Sequence, residues 1–163
     1  MRNVSVKTYP FTDYFKDFEK VEMVKRIFGE KTYEVLHNLK VEFNSGRGYM
    51  GISDVDGHIR VGADYLNTGD IIDIYLDIIH ELVHVKQFMD GKRLYRENLI
   101  LVDEAMEIEA CHYVVNEARD LGMSDEQIIE HLRTDRMTDE DINKLAKALN
   151  VKIKKAPKTY RLA

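Results

Sequence analysis

The chain has 163 residues, of which 44% are hydrophobic and 33% charged, with a formal net charge of −5. That balance excludes a largely disordered chain, and the negative sign argues against a general nucleic-acid binder. The length suits one domain able to bury about 70% of its unfolded surface.

In chain order, apolar residues at Phe15, Phe18, Val21, Met23, Val24 and Ile27 predict a helix from about Thr12 to Phe28, stopped at Gly29. A β region follows at about Val35 to Phe43, Gly48 to Ser53 and His58 to Gly62. Asp54-Val55-Asp56-Gly57 supplies a hairpin turn between the last two strands. From about Asp70 to Met89 the apolar residues, among them Ile74, Ile78, Ile79, Leu82, Val83 and Val85, give the broad apolar surface of a buried helix. A loop near Asp90-Gly91-Lys92 leads to a second long helix, marked by Met106, Ala110, Val114 and Ala118 at near-helical spacing and ending at Gly122. Ser124 with Gln127 reads as a capping box opening a helix to about Leu132. Thr138 starts another, to about Asn150. The sum is an α+β fold, with a small antiparallel or mixed sheet packed against a mainly helical body. No linker or repeat divides the chain, so residues 1–150 are expected to form one domain, followed by a basic tail at 151–163.

The location is expected to be cytoplasmic. Cys111 is the one cysteine and has no internal partner for a disulfide. The first seven residues lack the apolar core of a signal peptide, and no run of about 18 uncharged apolar residues offers a membrane span.

Residues 80–84 read His-Glu-Leu-Val-His inside the first long helix. Two imidazoles four positions apart stand about 40° apart around a helix, so His80 and His84 project from one face. Their nitrogens can share one tetrahedral Zn²⁺ at about 2.0–2.1 Å. Glu81 lies one step around, where a carboxylate can reach a metal-bound water without occupying the metal. The competing reading is a pair of hydrogen-bonded core histidines, because buried imidazoles cost free energy unless something satisfies them. A catalytic zinc needs a third protein ligand. The next dense set of candidates is Val102-Asp-Glu-Ala-Met-Glu-Ile-Glu-Ala110, where Glu104 and Glu107 share a helical face and Glu109 points away. Acidic residues also suit the first turn of a helix for dipole reasons alone.

His80-Glu81-Leu82-Val83-His84, followed 23 residues later by Glu107-Ile108-Glu109-Ala110, resembles the gluzincin metallopeptidases, most closely the minimal single-domain ones. The resemblance covers roughly residues 58–121. It implies that a glutamate on the second helix completes the zinc site, which maps to Glu107, with Glu104 as the second choice. The chain departs from the family pattern at Cys111, where an Asp or Asn usually supports a zinc histidine; Asp77 and Asp103 are the substitutes at hand. A metzincin pattern fails, because Gln87 and Asp90 stand where it needs Gly and His. The resemblance further implies that the last strand before the metal helix, about His58 to Gly62, is a sheet edge that pairs with an extended peptide. Gly-rich Ser45-Gly46-Arg47-Gly48 is read as a turn in preference to a flap.

The expected activity is that of a zinc-dependent peptidase acting on peptide or protein substrates. His80, His84 and Glu107 hold Zn²⁺, which lowers the pKa of a water toward about 7, and Glu81 is the general base that later passes the proton to the leaving amine. His112, Tyr113 and Tyr95 are candidates for hydrogen-bonding the oxyanion, whereas His37, His58 and His131 are read as ordinary packing or surface residues. Two other classes stay open: a zinc-binding regulatory or interaction module without turnover, and a metal-free helical interaction protein. Oligomeric state has no signature in the sequence. The tail from Val151 to Ala163 carries five basic residues and no acidic one, and reads by default as solvated. A sharper hypothesis is that it docks on the protein's own acidic cleft and restrains activity. Deleting residues 152–163 is then expected to raise peptidase turnover, and unchanged kinetics would remove the idea.

Overall fold

Among the described residues, four short strands pair into one mixed sheet in the order β1-β2-β4-β3. The structure, a computed structural model, describes residues 6–45, 50–92 and 105–154. Strand β1 (Tyr9–Pro10) runs antiparallel to β2 (Lys40–Asn44), β2 runs parallel to β4 (Ile59–Gly62), and β3 (Met50–Ile52) closes antiparallel on β4. The helices are α1 (Phe11–Tyr14), α2 (Glu22–Phe28), α3 (Thr32–Asn38), α4 (Ala63–Thr68), α5 (Ile71–Met89), α6 (Ala105–Asp120), α7 (Asp125–Leu132) and α8 (Asp139–Ala148). The α+β architecture is the one the sequence implies. None of the described helices is long and apolar enough to cross a membrane.

Helix α5 is the organising element. Its Asp70 cap accepts from the backbone N–H groups of Ile72 (2.8 Å) and Asp73 (3.3 Å), satisfying donors that the first turn leaves free. Leu76, Ile79 and Leu82 are fully buried, and α5 packs against α6, α2 and β3. Charged residues are thus carried on a helix whose surroundings are core. The Ser124–Gln127 capping box forms as expected, and Thr138 with Asp141 makes a second one at the start of α8.

Two elements differ from the sequence expectation. The single helix over Thr12–Phe28 is broken into α1, a 3₁₀ turn at Phe18–Lys20 and α2, with Asp17 in the left-handed region at φ 66°. The break lets Phe18 touch Phe11, Phe15 and Tyr75 of α5 together, at centroid distances of 5.8, 6.3 and 5.7 Å. The strand expected from Val35 starts only at Lys40. Residues 32–38 are helical, because Thr32, Val35, Leu36 and Leu39 are buried at helical spacing. Helix α4, between β4 and α5, has no counterpart in the sequence reading.

The strand His58–Gly62 was expected at the sheet edge. It is interior, held by β2 on one side and β3 on the other, and β3 is the outer strand there among the described residues. Residues 46–48 of the glycine-rich turn lie outside the described residues, as do 155–163 of the tail. In the part of the tail that is described, the Lys152 backbone donates to Asp125 (2.8 Å) and Lys154 pairs with Glu126 (2.7 Å), both at the N-terminus of α7.

The β3–β4 turn is fixed against α5 at Gly57, whose φ is 75°. A Cβ there would stand 2.6 Å from the Phe88 ring. Gly57→Ala combines left-handed backbone strain with an overlap in packed surroundings, so we expect a loss of about 1–3 kcal/mol. A lower urea midpoint at unchanged slope is the expected readout, and an unmoved midpoint would contradict the packing described.

Candidate metal centre

The i, i+4 spacing of His80 and His84 on α5 puts both imidazoles on the face that meets α6, and Glu107 lies in the first turns of α6 described. The three side chains converge. Nε2 of His80 is 2.9 Å from Nε2 of His84; the Glu107 carboxylate lies 3.3 Å from the first through Oε2 and 3.1 Å from the second through Oε1. One ligand atom from each lies within 4.8 Å of the others, so the group could hold a metal ion. Ligand atoms of a tetrahedral site with bonds of about 2.0–2.1 Å stand roughly 3.3 Å apart, close to what is seen.

Three observations bear on whether a cation fits. Glu107 Oε2 is buried, and although His80 Nε2 is near, the geometry leaves that oxygen with no hydrogen-bond partner. A buried carboxylate oxygen without a partner costs several kcal/mol unless a positive centre compensates it. Second, His84 Nδ1 is engaged by Gln87 Oε1 at 2.8 Å, which leaves Nε2 as the metal-facing nitrogen. Third, two imidazoles and one carboxylate are a donor set that a divalent transition-metal ion accepts, and a cleft opens beside His80.

The electrostatics of the site are set by burial and its offsets. Burial pushes the Glu107 carboxyl up, but the two imidazoles facing it, His80 and His84, outweigh that and hold the group well below the usual carboxylate range. Burial likewise opposes charge on His80, yet Cys111 and Glu107 beside it raise the imidazole well above its ordinary value. For Glu81, only 8% exposed, burial outweighs the pull of His80 and His84 and lifts its carboxyl above the usual range. A carboxyl raised in this way is suited to gain and lose a proton during a reaction.

His80, Glu81 and Cys111 line a cleft of about 390 Å³ together with Met50 of β3 and residues of α4, α5 and α7. Across it stands His131 at the end of α7. Its side chain is 7% exposed, with Nδ1 2.7 Å from Asp73 and Nε2 3.5 Å from Asp77. The hydroxyl of Tyr65 donates to Asp77 at 2.5 Å. The sequence reading passed over His131 as an ordinary packing residue. Its only sequence signal is its place immediately before Leu132 on a short helix, and the contact with Asp73 spans 58 positions of chain.

The other sequence candidates fall elsewhere. His112 is exposed and Tyr113 packs on the core; neither is among the described residues lining the cleft. His37 stacks on Tyr33, and His58 is held between Asp56 and Glu42. Tyr95, Asp103 and Glu104, the second choice of ligand, lie outside the described residues. Asp77, suggested as support for a zinc histidine, accepts from Tyr65; the neighbour of His80 is Cys111, and the partner of His84 is Gln87. No protein-family model, curated protein or solved structure matches the chain.

A ligand that binds only the folded chain stabilises it by about 2.7 kcal/mol at a hundredfold excess over its Kd. Zinc chloride is therefore expected to raise the melting temperature of the wild type and leave that of Glu107→Ala nearly unmoved. Equal shifts in the two would show that the ion binds elsewhere.

Proposed function

We propose that the protein is a zinc-dependent peptidase of gluzincin type. The observation that carries the reading is the convergence of His80, His84 and a Glu107 oxygen lacking any hydrogen-bond partner, beside a buried Glu81 in an open cleft. Zinc is favoured over harder ions because two imidazoles and one carboxylate form the donor set.

His80, His84 and Glu107 would hold the ion. When bound, it supplies Lewis acidity that makes a water a hydroxide source near neutral pH and polarises a carbonyl. Glu81 takes the proton of that water, since its raised affinity for protons lets it accept one and keep it. It then returns the proton to the leaving amine. His131, with Nδ1 held by Asp73 and Nε2 3.5 Å from Asp77, lines the cleft and is the group we assign to hydrogen-bond the oxygen that becomes negative. The edge-pairing role expected for β4 passes to β3, because β3 is outermost there and contributes Met50 to the cleft wall.

The test pairs metal content with cleavage of casein or a peptide library. Wild type is expected to hold one zinc per chain and to cleave. Glu81→Gln should retain the metal and lose at least about 10²-fold in turnover. His84→Ala should lose both, and His131→Asn should keep the metal while kcat falls about 10²-fold. Wild type that binds zinc without cleaving anything would favour a binding or regulatory module over the peptidase.

A further inference from the structure

Gln87 is 1% exposed, yet the chemistry of two histidines and a glutamate does not demand an amide three residues beyond the second histidine. Every polar atom of the side chain is used. Oε1 meets His84 Nδ1 at 2.8 Å, while Nε2 donates to the Met106 carbonyl at 3.0 Å and to Glu109 Oε2 at 2.8 Å. The orientation is forced, because a carbonyl and a carboxylate only accept, so the NH₂ must face them and the oxygen must face the imidazole. An amide oxygen accepts only, so His84 carries its proton on Nδ1 and leaves a lone pair on Nε2, toward His80 and Glu107. The 2.9 Å approach of His80 Nε2 is then a hydrogen bond with His80 as donor. Met106 is also the residue before Glu107, so the same amide grips the backbone that carries the third ligand. Glu109 is itself steadied by Lys92 at 3.3 Å.

We propose that Gln87 is the positioning residue of the metal centre, a clasp between α5 and α6 that fixes the His84 tautomer and the register of Glu107 with one side chain. The proposal rests on the metal-binding reading above. A polar group buried between two helices is retained because its full set of hydrogen bonds exists only when both helices are in place. Outer partners of this kind typically carry 10–100-fold in metal affinity.

The experiment titrates zinc against a chelator of known affinity into wild type, Gln87→Met and Gln87→Glu, and reads the His84 tautomer in the metal-free wild type by ¹⁵N NMR. Gln87→Met fills the space without hydrogen bonds, and its zinc affinity is expected to fall 10–100-fold. Gln87→Glu keeps an acceptor for Nδ1–H but sets a carboxylate against Glu109 and the Met106 carbonyl, so it should recover part of that loss and no more, which a purely space-filling role would not permit. His84 should carry its proton on Nδ1. Gln87→Met binding as tightly as wild type, or both variants losing equally, overturns the positioning role while leaving the metal site standing. An Nε2–H tautomer in the wild type overturns it whether or not the variants fold. Wild type that takes up no zinc removes the metal reading and the clasp with it.

Discussion

Helices α5 and α6 meet where two imidazoles from one and a carboxylate from the other aim at a single point. Neither helix alone supplies three donors, so the cluster exists only where α5 and α6 pack together, with buried apolar residues on both. Close packing of this sort transmits small displacements with little loss, so the separations of 2.9–3.3 Å among the donor atoms are a property of the core around them. The small side chains of Ala110 and Cys111 on α6 suit a close approach to α5.

Charge tells the same story from another direction. Glu81, Glu107 and Asp77 are gathered in or beside one cleft, and burial works against each of their charges. Only Glu107 is offset strongly enough to be held low, because both imidazoles face it. Carboxylates of unequal proton affinity in one cavity divide naturally into a group that stays charged and a group that trades protons. Under the proposed reading Glu107 is the permanent anion toward the metal and Glu81 the exchanging one. His131 extends the pattern, since carboxylates flank both ring nitrogens, Asp73 at Nδ1 and Asp77 at Nε2, and the residue lines the same cleft.

Gln87 changes the view of what supports the histidines. The family resemblance directs attention to the position after Glu107-Ile108-Glu109-Ala110, where Cys111 replaces the usual Asp or Asn. Cys111 does stand beside His80. The full hydrogen-bond set, however, is on α5 itself, one turn beyond His84, and reaches across to α6. Support for the second histidine therefore comes from the same helix that presents it, and its anchor comes from the helix that presents the third ligand.

Elements whose signal is local were legible in the sequence. The long helix α5, the Ser124–Gln127 capping box, the hairpin turn at Gly57 and the pair His80 and His84 follow from spacing within a few residues, where backbone geometry alone decides which side chains share a face. Glu107 was legible through a motif and not through geometry. Features that depend on a partner distant in the chain were settled by packing instead. The break at Asp17 exists so that Phe18 can reach Tyr75, and the interior place of β4 is fixed by its pairing with both β2 and β3. His131 gains its meaning from Asp73, and Gln87 from Met106 and Glu109. A polar residue at helical spacing reads the same in sequence whether it faces water or a neighbour. The helix packed against it settles which, because burial obliges each of its hydrogen-bonding atoms to find a partner.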